Sequence, residues 1–492
     1  MSTLSRRNFL QSTVAGVAAV SSRAWAQSQN PVFVYVGSYT ARGQGIYRYS
    51  MNPGTGALTL LNVIGDLMNP SFVAVDPQQR FLYAGNEIGN YEGRQSGWVT
   101  AFAIESDGNL RFLNRQPSEG RNPAHVSVDP TGRFVMAANY TGGATGGNVV
   151  VLPIQRSGEL AAPSDVVNHS GTLGPNTGRQ EAPHAHMILP DPSGRFVLAN
   201  DLGLDRTFIY RLEKTTGDLG ASDPDSIIAT AGAGPPHLAF HPNGKLLFII
   251  NELDSTLLSF SWDSERGLAQ PIQSISTLPE GYIGVNTTAH VVVSQTGRYV
   301  YASNRGHDSI AVFSVNPDTG RMQAVERVWS YGETPRNFAI DPSGNFMYVA
   351  HQNTDNIVTF RVDQATGRLT PTGQFIGAGQ PVSIVFVTPP QTGTSAKEGV
   401  TFHANPNPVF VSDSTGLGQT TLSWNAPDAS EVEIRIGSPG GANLGRQLSW
   451  GSTTTGKWVA DGMMFYLQDV SGGKALTAEN TLGTVRVNVR RA

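Results

Sequence analysis

Short, mostly apolar runs bounded by turn-forming residues recur along most of the chain, and this pattern predicts short strands. Clear examples are residues 133–139, 298–304 and 310–315, each bounded by turn-forming residues. Helical periodicity over a dozen residues is nowhere convincing in the sequence. The pattern therefore predicts an all-β protein.

A tight turn, Asp-Pro-Ser-Gly in its fullest form, follows one strand of each repeat. Proline presets φ for such a turn and glycine accepts positive φ, so each copy predicts a hairpin corner. Six copies begin at Asp76, Asp129, Asp191, His241, Ser294 and Asp341. A second landmark, a glycine shortly before an apolar residue, occurs seven times, at Gly56, Gly108, Gly158, Gly217, Gly267, Gly320 and Gly367.

Four short strands per repeat are typical of the blades of a β-propeller. The chain opens at residues 32–39 with the pattern of a second strand, and the array ends at residues 383–386 with the pattern of a first strand. These two segments would share one blade, and their pairing would remove the open sheet edges. The sequence thus predicts a seven-bladed β-propeller over residues 30–388.

The remainder of the chain differs in character from the repeats. A linker rich in Pro, Gly, Thr and Ser is predicted at residues 389–400. Short alternating strands separated by turn residues follow it, and about ninety residues in this pattern favour a small immunoglobulin-like β-sandwich at residues 401–492.

The first 26 residues resemble a twin-arginine signal peptide. Arg6 and Arg7 precede a mildly apolar stretch at 14–20, and small residues flank a cleavage site at 24–26. The apolar stretch is too short to span a membrane. Residues 1–26 are therefore expected to engage the twin-arginine export machinery, leaving a periplasmic or secreted mature chain. A soluble amphipathic helix is the alternative for this segment.

Composition removes several classes of function. The chain of 492 residues contains no cysteine, which excludes disulfides, thiolate metal sites and a cysteine nucleophile. Its formal net charge is −4, with no basic block, so a nucleic acid partner is not expected.

Candidate chemistry gathers at one rim of the predicted propeller. The first and second strands of a blade form a hairpin, so the start of one and the end of the other lie side by side at one mouth of the central channel. Histidines at four first-strand starts and amides or charged residues at the second-strand ends are what a site for a polar small molecule needs. For each of these residues, a purely structural hydrogen bond remains the alternative.

Four segments of the chain carry a family resemblance. They are Pro183-His184-Ala185-His186, the run 201–206, the run 250–253 and Ser303-Asn304-Arg305-Gly306-His307-Asp308-Ser309-Ile310. They resemble the propeller lactonase family, typified by bacterial 6-phosphogluconolactonase and the fungal carboxymuconate-lactonising enzyme. The resemblance covers the propeller alone. It implies a seven-bladed propeller and lactone chemistry without an obligatory metal.

The resemblance also implies site residues. A histidine, a glutamate and an arginine at the channel mouth match His184 or His186, Glu252 and Arg305, which we take as the catalytic candidates. An arginine of the family pattern is replaced by Pro236, and an acid by His290. Residues expected to bind substrate are His125, Asn139, Asp201, His237, Asn251, His290, Asn304, Arg336, His351 and Gln352.

Three hypotheses on function follow. The first is hydrolysis of a sugar or carboxylated lactone, with an imidazole near Glu252 as general base and Arg305 and Arg336 binding the oxyanion or a carboxylate. The second is a non-catalytic exported propeller that binds a partner or glycan. The third keeps the enzyme, which otherwise needs no cofactor, but adds Ca²⁺ on the oxygens of Glu87, Asn139, Asp201 and Glu252.

Overall fold

The computed structural model describes residues 32–90, 93–105, 107–143, 146–388, 395–397, 399–411, 413 and 415–491. Within these ranges the regular structure consists of strands, one short 3₁₀ turn at Ser471–Gly473 and no α-helix. The all-β prediction is confirmed. The predicted signal at 1–26 and most of the predicted linker lie outside the described residues. None of the described residues forms a helix long and apolar enough to cross a bilayer.

Twenty-eight strands precede residue 388. They are β1 (Val32–Ser38), β2 (Ile46–Met51), β3 (Leu58–Ile64), β4 (Pro70–Val75), β5 (Phe81–Asn86), β6 (Trp98–Ile104), β7 (Leu110–Pro117), β8 (Arg121–Val128), β9 (Phe134–Gly143), β10 (Gly146–Pro153), β11 (Asp165–Asn168), β12 (Ala185–Pro190), β13 (Phe196–Asp201), β14 (Arg206–Leu212), β15 (Leu219–Ile228), β16 (His237–Phe240), β17 (Leu246–Asn251), β18 (Thr256–Asp263), β19 (Leu268–Ser276), β20 (Thr287–Val293), β21 (Tyr299–Arg305), β22 (Ser309–Val315), β23 (Met322–Trp329), β24 (Pro335–Ile340), β25 (Phe346–His351), β26 (Asn356–Val362), β27 (Leu369–Gly377) and β28 (Pro381–Val387).

These strands form seven antiparallel sheets of four. Six blades are continuous in sequence, and the seventh joins β28 to β1, β2 and β3. Val36 pairs with Ile384 in this shared blade, so the two ends of the array close the ring. The closure confirms the prediction drawn from six corners and seven glycines.

The second landmark, the glycine near each third turn, holds neighbouring blades together. Gly108 has φ of 81°, and a Cβ there would lie 2.6 Å from the Phe33 ring of the preceding blade. The Tyr35 hydroxyl of that blade donates to the Gly108 carbonyl at 2.6 Å. The same tyrosine-to-glycine bond joins Tyr348 to Gly56 across the closure, at 2.7 Å. Glycine is therefore required both by backbone conformation and by close packing.

Each blade has two distinct ends. In the second blade Pro70 pairs with Asn86 at one end, and Val75 pairs with Leu82 beside the turn at the other. We call the first end the mouth and the face that carries the turns the corner face. Buried Asp129 shows how a corner is built, since its carboxylate accepts hydrogen bonds from the backbone N–H groups of Thr131, Arg133 and Phe134 at 2.7–2.9 Å.

The C-terminal residues form a separate module with its own core. Its strands are β29 (Ser395–Ala396), β30 (Thr401–Asn405), β31 (Val409–Val411), β32 (Thr421–Asn425), β33 (Glu431–Ile436), β34 (Ala442–Leu448), β35 (Trp450–Thr454), β36 (Met463–Asp469), β37 (Thr481–Val487) and β38 (Val489–Arg491). They are arranged in sheets of five, three and two strands. One apolar cluster that includes Phe402, Trp424, Ile434 and Phe465 unites the sheets. An immunoglobulin-like topology for this module stays a prediction.

The C-terminal module contacts the corner face of the propeller. Arg156 pairs with Asp428 at 2.6 Å. The indole of Trp450 lies 5.8 Å from both the Arg133 guanidinium and the Lys214 ammonium. The propeller residues in these contacts belong to corners and third turns, so the module covers the face opposite the mouth.

Candidate active site

A local shift in strand register directs side chains into the mouth. Six of the seven first strands change register at their mouth end, as happens when one extra residue bulges from a strand. The residues in these shifts line a single open cavity of about 360 Å³ and include Ser71, Ala124, His186, Ala289, Arg336 and Val382. In these six first strands, the bulge therefore turns one position towards the propeller axis.

The bulge corrects the sequence-based alignment of His186. The sequence analysis counted His186 together with His125 and His237 among the histidines at first-strand starts. In the structure Met187 pairs with Asn200 as His125 pairs with Ala138. His186 instead occupies the extra position, in common with Arg336. The sequence carries the offset, since His186 lies eight residues before the corner glycine Gly194 whereas His125 lies seven before Gly132.

Three further histidines cluster next to the cavity. The His237 ring lies 5.7 Å from that of His125 and 4.9 Å from that of His290, measured between centroids. The Nδ1 atoms of His237 and His290 are 2.7 Å apart, so one donates a hydrogen bond to the other. The Phe72 ring packs against that of His125 at a tilt of 42°, with centroids 4.2 Å apart. Of these imidazoles, only that of His237 lines the cavity itself.

Burial keeps the imidazoles of this region uncharged at neutral pH. It lowers the pKa of His186 to about 3 and that of His290 to about 4. The pKa values of His125 and His237 are held well below their usual range by the same cause. His186 Nδ1 is buried and has no hydrogen-bond partner among the described residues, while the residue itself lines the cavity.

The ends of the second strands supply the charged groups of the mouth. Side chains alternate along a strand, so of two neighbouring residues at the mouth end one serves the blade and the following one faces the axis. Glu87, Glu252 and Arg305 hold this mouth-facing position and line the cavity. Tyr39 and Tyr140 hold the same position in their own blades.

Glu252 lies between two guanidinium groups. Arg305 contacts its Oε2 atom at 3.1 Å, and Arg179 contacts its Oε1 atom. Burial alone would raise the pKa of Glu252, but Arg305 and Arg179 outweigh it and hold this pKa below the usual value. Glu252 is therefore an ionised, almost fully buried carboxylate. Arg305 also donates from Nη2 to the Thr288 carbonyl at 2.7 Å, which fixes its orientation.

Arg336 provides a further cation at the same cavity. Its guanidinium lies 5.5 Å from the centre of the Tyr39 ring. The Tyr39 hydroxyl donates to Glu87 Oε2 at 2.8 Å. Burial opposes the charge on Arg336, but the neighbouring Tyr39 and Glu87 raise its pKa. The cavity therefore combines Arg305 and Arg336 with Glu252, Glu87 and the neutral His186.

The structure uses the strand-end amides differently from the sequence-based prediction. Asn139 donates to the Ser118 carbonyl at 2.7 Å, and Asn304 donates to the Thr277 carbonyl at 3.2 Å. Asn251 donates to Thr256 Oγ1 at 2.9 Å. None of these amides is among the residues that line the described cavity. They fasten neighbouring backbone and side chains, as the structural alternative anticipated.

Asp201, His351 and Gln352 also lie apart from the cavity lining. Asp201 accepts a hydrogen bond from the His184 backbone N–H at 2.8 Å and contacts His169 Nδ1 at 2.7 Å. His351 is buried, and its ring packs against Gly332. Gln352 bonds through its backbone to Thr334 and Arg42.

The four oxygens considered for Ca²⁺ do not converge. The Asn139 amide nitrogen bonds within its blade and Asp201 contacts His169 of the preceding blade, whereas Glu87 and Glu252 face the mouth. Among the described residues, His, Asp and Glu side chains form no cluster with metal-binding spacing. The donor set proposed from the sequence is therefore not assembled in this structure.

His184 lies beside the cavity rather than in its lining. Its ring stacks on Tyr140 with centroids 4.3 Å apart, and its Nδ1 contacts the Tyr140 carbonyl oxygen at 2.9 Å. Its Nε2 lies 3.1 Å from Glu181. Between the two histidines offered by the sequence, His186 is the one that reaches the cavity.

Sequence reasoning missed Arg179 as a site residue. Arg179 lies in the connection 169–184 between β11 and β12, which is the longest of the connections between one blade and the next. The available signal was the wide spacing between the landmark glycines Gly158 and Gly217, which indicates an insertion. Nothing in the repeat shows where such an insertion folds.

Comparison with known proteins identifies the propeller. Residues 33–386 match the family described as Lactonase, 7-bladed beta-propeller. The chain belongs to this lactonase family. The family match ends before the C-terminal module, whose residues it does not cover.

Named relatives of this chain agree with the family match. The chain is 38% identical over 310 residues to a 6-phosphogluconolactonase of Bacillus subtilis (strain 168), covering 63% of this chain and 84% of the relative. It is 32% identical over 316 residues to a 6-phosphogluconolactonase of Formosa agariphila, covering 63% and 86%. A solved structure, the periplasmic gluconolactonase of Pseudomonas aeruginosa, aligns with a TM-score of 0.68 at 31% identity, covering 73% of this chain and all of that one.

Proposed function

We propose that this protein hydrolyses an acidic sugar lactone at the propeller mouth. The observation that carries the proposal is the position of Glu252, a buried ionised carboxylate that shares one cavity with His186, Arg305 and Arg336. A carboxylate base, a neutral imidazole and fixed cations are the groups that ester hydrolysis requires. The lactonase family membership and the names of its relatives support the same chemistry.

In this mechanism Glu252 accepts a proton from the attacking water. The water oxygen forms a bond to the lactone carbonyl carbon, and negative charge develops on the carbonyl oxygen. Arg305 stabilises that oxyanion, because its guanidinium is already oriented by Glu252 and by the Thr288 carbonyl. The ring C–O bond then breaks, and the proton held by Glu252 passes to the leaving alkoxide.

His186 orients the water in this mechanism. An imidazole with a pKa of about 3 is too weak a base to hold a proton at neutral pH, but its unprotonated nitrogen accepts a hydrogen bond. An imidazole nitrogen of His186 is therefore assigned to the attacking water or to a substrate hydroxyl, because this residue lines the cavity. This assignment moves the role of base from the histidine to Glu252.

Arg336 is assigned to an anionic group of the substrate. Arg305 is occupied by Glu252, whereas Arg336 faces the cavity beside an aromatic ring. A guanidinium suits a carboxylate or phosphate because it donates two parallel hydrogen bonds. The substrate class proposed is therefore a lactone that carries an acid group.

The deciding experiment compares lactone opening by the wild type and by Glu252→Gln, followed by pH-stat. The panel contains glucono-δ-lactone, its 6-phosphate and a lactone with a free carboxylate. Loss of a general base lowers kcat by a factor of about 10²–10⁴. Glu265→Gln, at an exposed ion pair on the corner face, is the control and should match the wild type. A wild type that opens no lactone faster than buffer would refute the proposal.

We also propose that the mature enzyme acts outside the cytoplasm. The twin-arginine-like segment at Arg6 and Arg7 supports this, as does the periplasmic description of the Pseudomonas aeruginosa neighbour. Cell fractionation of the wild type and of the Arg6→Lys, Arg7→Lys double variant tests it. Export of the wild type alone is the expected result, and cytoplasmic retention of both proteins would contradict it.

A further inference from the structure

Arg179 reaches the active-site carboxylate from outside the blades. The connection 169–184 joins β11 to β12 at the mouth rim, where other blade connections such as 65–69 and 378–380 are much shorter. The Arg179 side chain is 39% exposed, whereas that of Glu252 is 2% exposed. The partly exposed Arg179 guanidinium therefore covers the buried Glu252 carboxylate.

The connection is anchored next to Arg179. Gln180 is buried, and its Nε2 atom donates to the Leu202 carbonyl at 2.9 Å and to Asp205 Oδ1 at 2.8 Å. The backbone N–H groups of Arg179 and Gln180 both donate to the Asn176 carbonyl, at 3.0 and 2.6 Å. These bonds form a tight turn, which fixes the backbone that carries the Arg179 side chain.

A second contact holds the guanidinium from the side. Tyr140 hydrogen-bonds to Arg179 through its hydroxyl, and the Tyr140 ring stacks on His184. His184 is fixed in turn by its Nδ1 contact with the Tyr140 carbonyl oxygen at 2.9 Å. Arg179 therefore contacts two groups. One is the reacting carboxylate of Glu252, and the other is the Tyr140 hydroxyl, which orients the guanidinium.

We propose that Arg179 is a positioning residue that fixes Glu252 and keeps it ionised for catalysis. The inference rests on the proposed function of Glu252 as general base. Arg305 and Arg179 bind opposite oxygens of one carboxylate, so removing Arg179 frees Oε1 and removes half of the compensating charge. The other charged or titratable groups around Glu252 are His186, Arg336 and Tyr140, and they are unchanged by that removal.

The test compares Arg179→Met, which keeps side-chain length, with Arg179→Lys, which keeps the charge. An opposite charge in contact lowers a carboxyl pKa by about 1–3 units, so the methionine variant should raise the Glu252 pKa by about one unit or more. Since the ionised form is active, the acid limb of kcat/KM should move up by that amount. The wild type, with this pKa below 4.5, should stay active down to about pH 5. The lysine variant should lie between the two.

Thermal unfolding provides a readout that does not need activity. At pH 7 the Tm of Arg179→Met should lie below that of the wild type, because the variant loses a contact to an ionised carboxylate. The gap should be smaller at pH 3.5, because lowering the pH favours the uncharged carboxyl, which Arg179 no longer attracts. Arg195→Met is the matched control, since Arg195 is also 39% exposed but pairs with the exposed Glu265 on the corner face.

The outcomes separate the two proposals. A wild type without lactonase activity refutes the proposed function, while the Tm comparison still judges whether Arg179 acts through the charge of Glu252. An active wild type whose pH profile is unchanged in Arg179→Met overturns the inference alone. A Tm gap of equal size at both pH values would likewise show that Arg179 acts only through packing.

Discussion

Neighbouring residues at the end of each second strand have different tasks. Asn251 bonds to Thr256 inside its blade, and the next residue, Glu252, faces the cavity. Asn304 and Arg305 repeat this division. The amide, which is neutral and able to donate and accept, serves backbone groups, whereas the charged side chain meets the ligand. Because successive side chains of a strand point to opposite sides, the two neighbouring residues cannot exchange these tasks.

At His186 we expect a catalytic loss without unfolding. His186→Ala removes the imidazole acceptor from the cavity and should lower kcat by a factor of about ten or more. The loss should be larger than for His186→Asn, which retains an acceptor. Both variants should keep a wild-type far-UV circular dichroism spectrum. Equal wild-type rates in the two variants would remove His186 from the mechanism.

At Arg336 we expect a loss of affinity that depends on substrate charge. Arg336→Met should raise KM for a carboxylated or phosphorylated lactone by a factor of about ten or more, because a charge-assisted bond contributes about 1.5–3 kcal/mol. The KM for neutral glucono-δ-lactone should change far less. Arg361→Met, in the same blade and stacked on Phe346, is the control. A uniform change across charged and neutral lactones would contradict the assignment.

The strand pattern predicted the elements well but not their fine register. The turn residues and the short strand patterns predicted the corners, the landmark glycines and the shared closing blade. The structure confirms them. The mouth bulges escaped prediction because a single extra residue changes which side chain faces the axis without changing composition. His186 was therefore grouped with His125 and His237. That His186 and Arg336 occupy the same bulge position in their blades was not recognised.

Connections were less predictable than strands. The insertion containing Arg179 could be located by spacing, but its fold depends on the Gln180 hydrogen bonds to Leu202 and Asp205, which are distant in sequence. The chain lacks an arginine at position 236, and a second guanidinium nevertheless reaches Glu252 from Arg179. Local patterns cannot reveal such a long-range arrangement.

The corner motif should carry a measurable share of stability. Asp129 is 2% exposed and accepts three backbone N–H bonds, so Asp129→Ala leaves buried donors without partners. Each such donor costs about 1–3 kcal/mol, and the thermal midpoint should fall by several degrees. Asp318→Ala, in an exposed turn, is the control and should be neutral. An Asp129→Ala protein as stable as the wild type would show that the turn holds without its carboxylate.

At the scale of the whole molecule, the candidate site and the C-terminal module lie on opposite faces of the propeller. The candidate site opens at the mouth, while Asp428 and Trp450 of the C-terminal module contact the corner face. The closing strand β28 precedes the predicted linker, so the ring is complete before the module begins. The module therefore has no residue within the described cavity lining.

Truncation after Thr388 should consequently separate stability from activity. The truncated chain keeps all seven blades, and we expect its kcat/KM for lactone to stay within a factor of about two of wild type, because no group that touches the reacting atoms is lost. Its Tm should fall, since Trp450 no longer covers Arg133 and Lys214. Trp450→Ala in the full chain should reproduce part of that fall with unchanged kinetics. A truncated protein that remains folded but loses its activity would mean that the module influences the mouth through the body of the propeller.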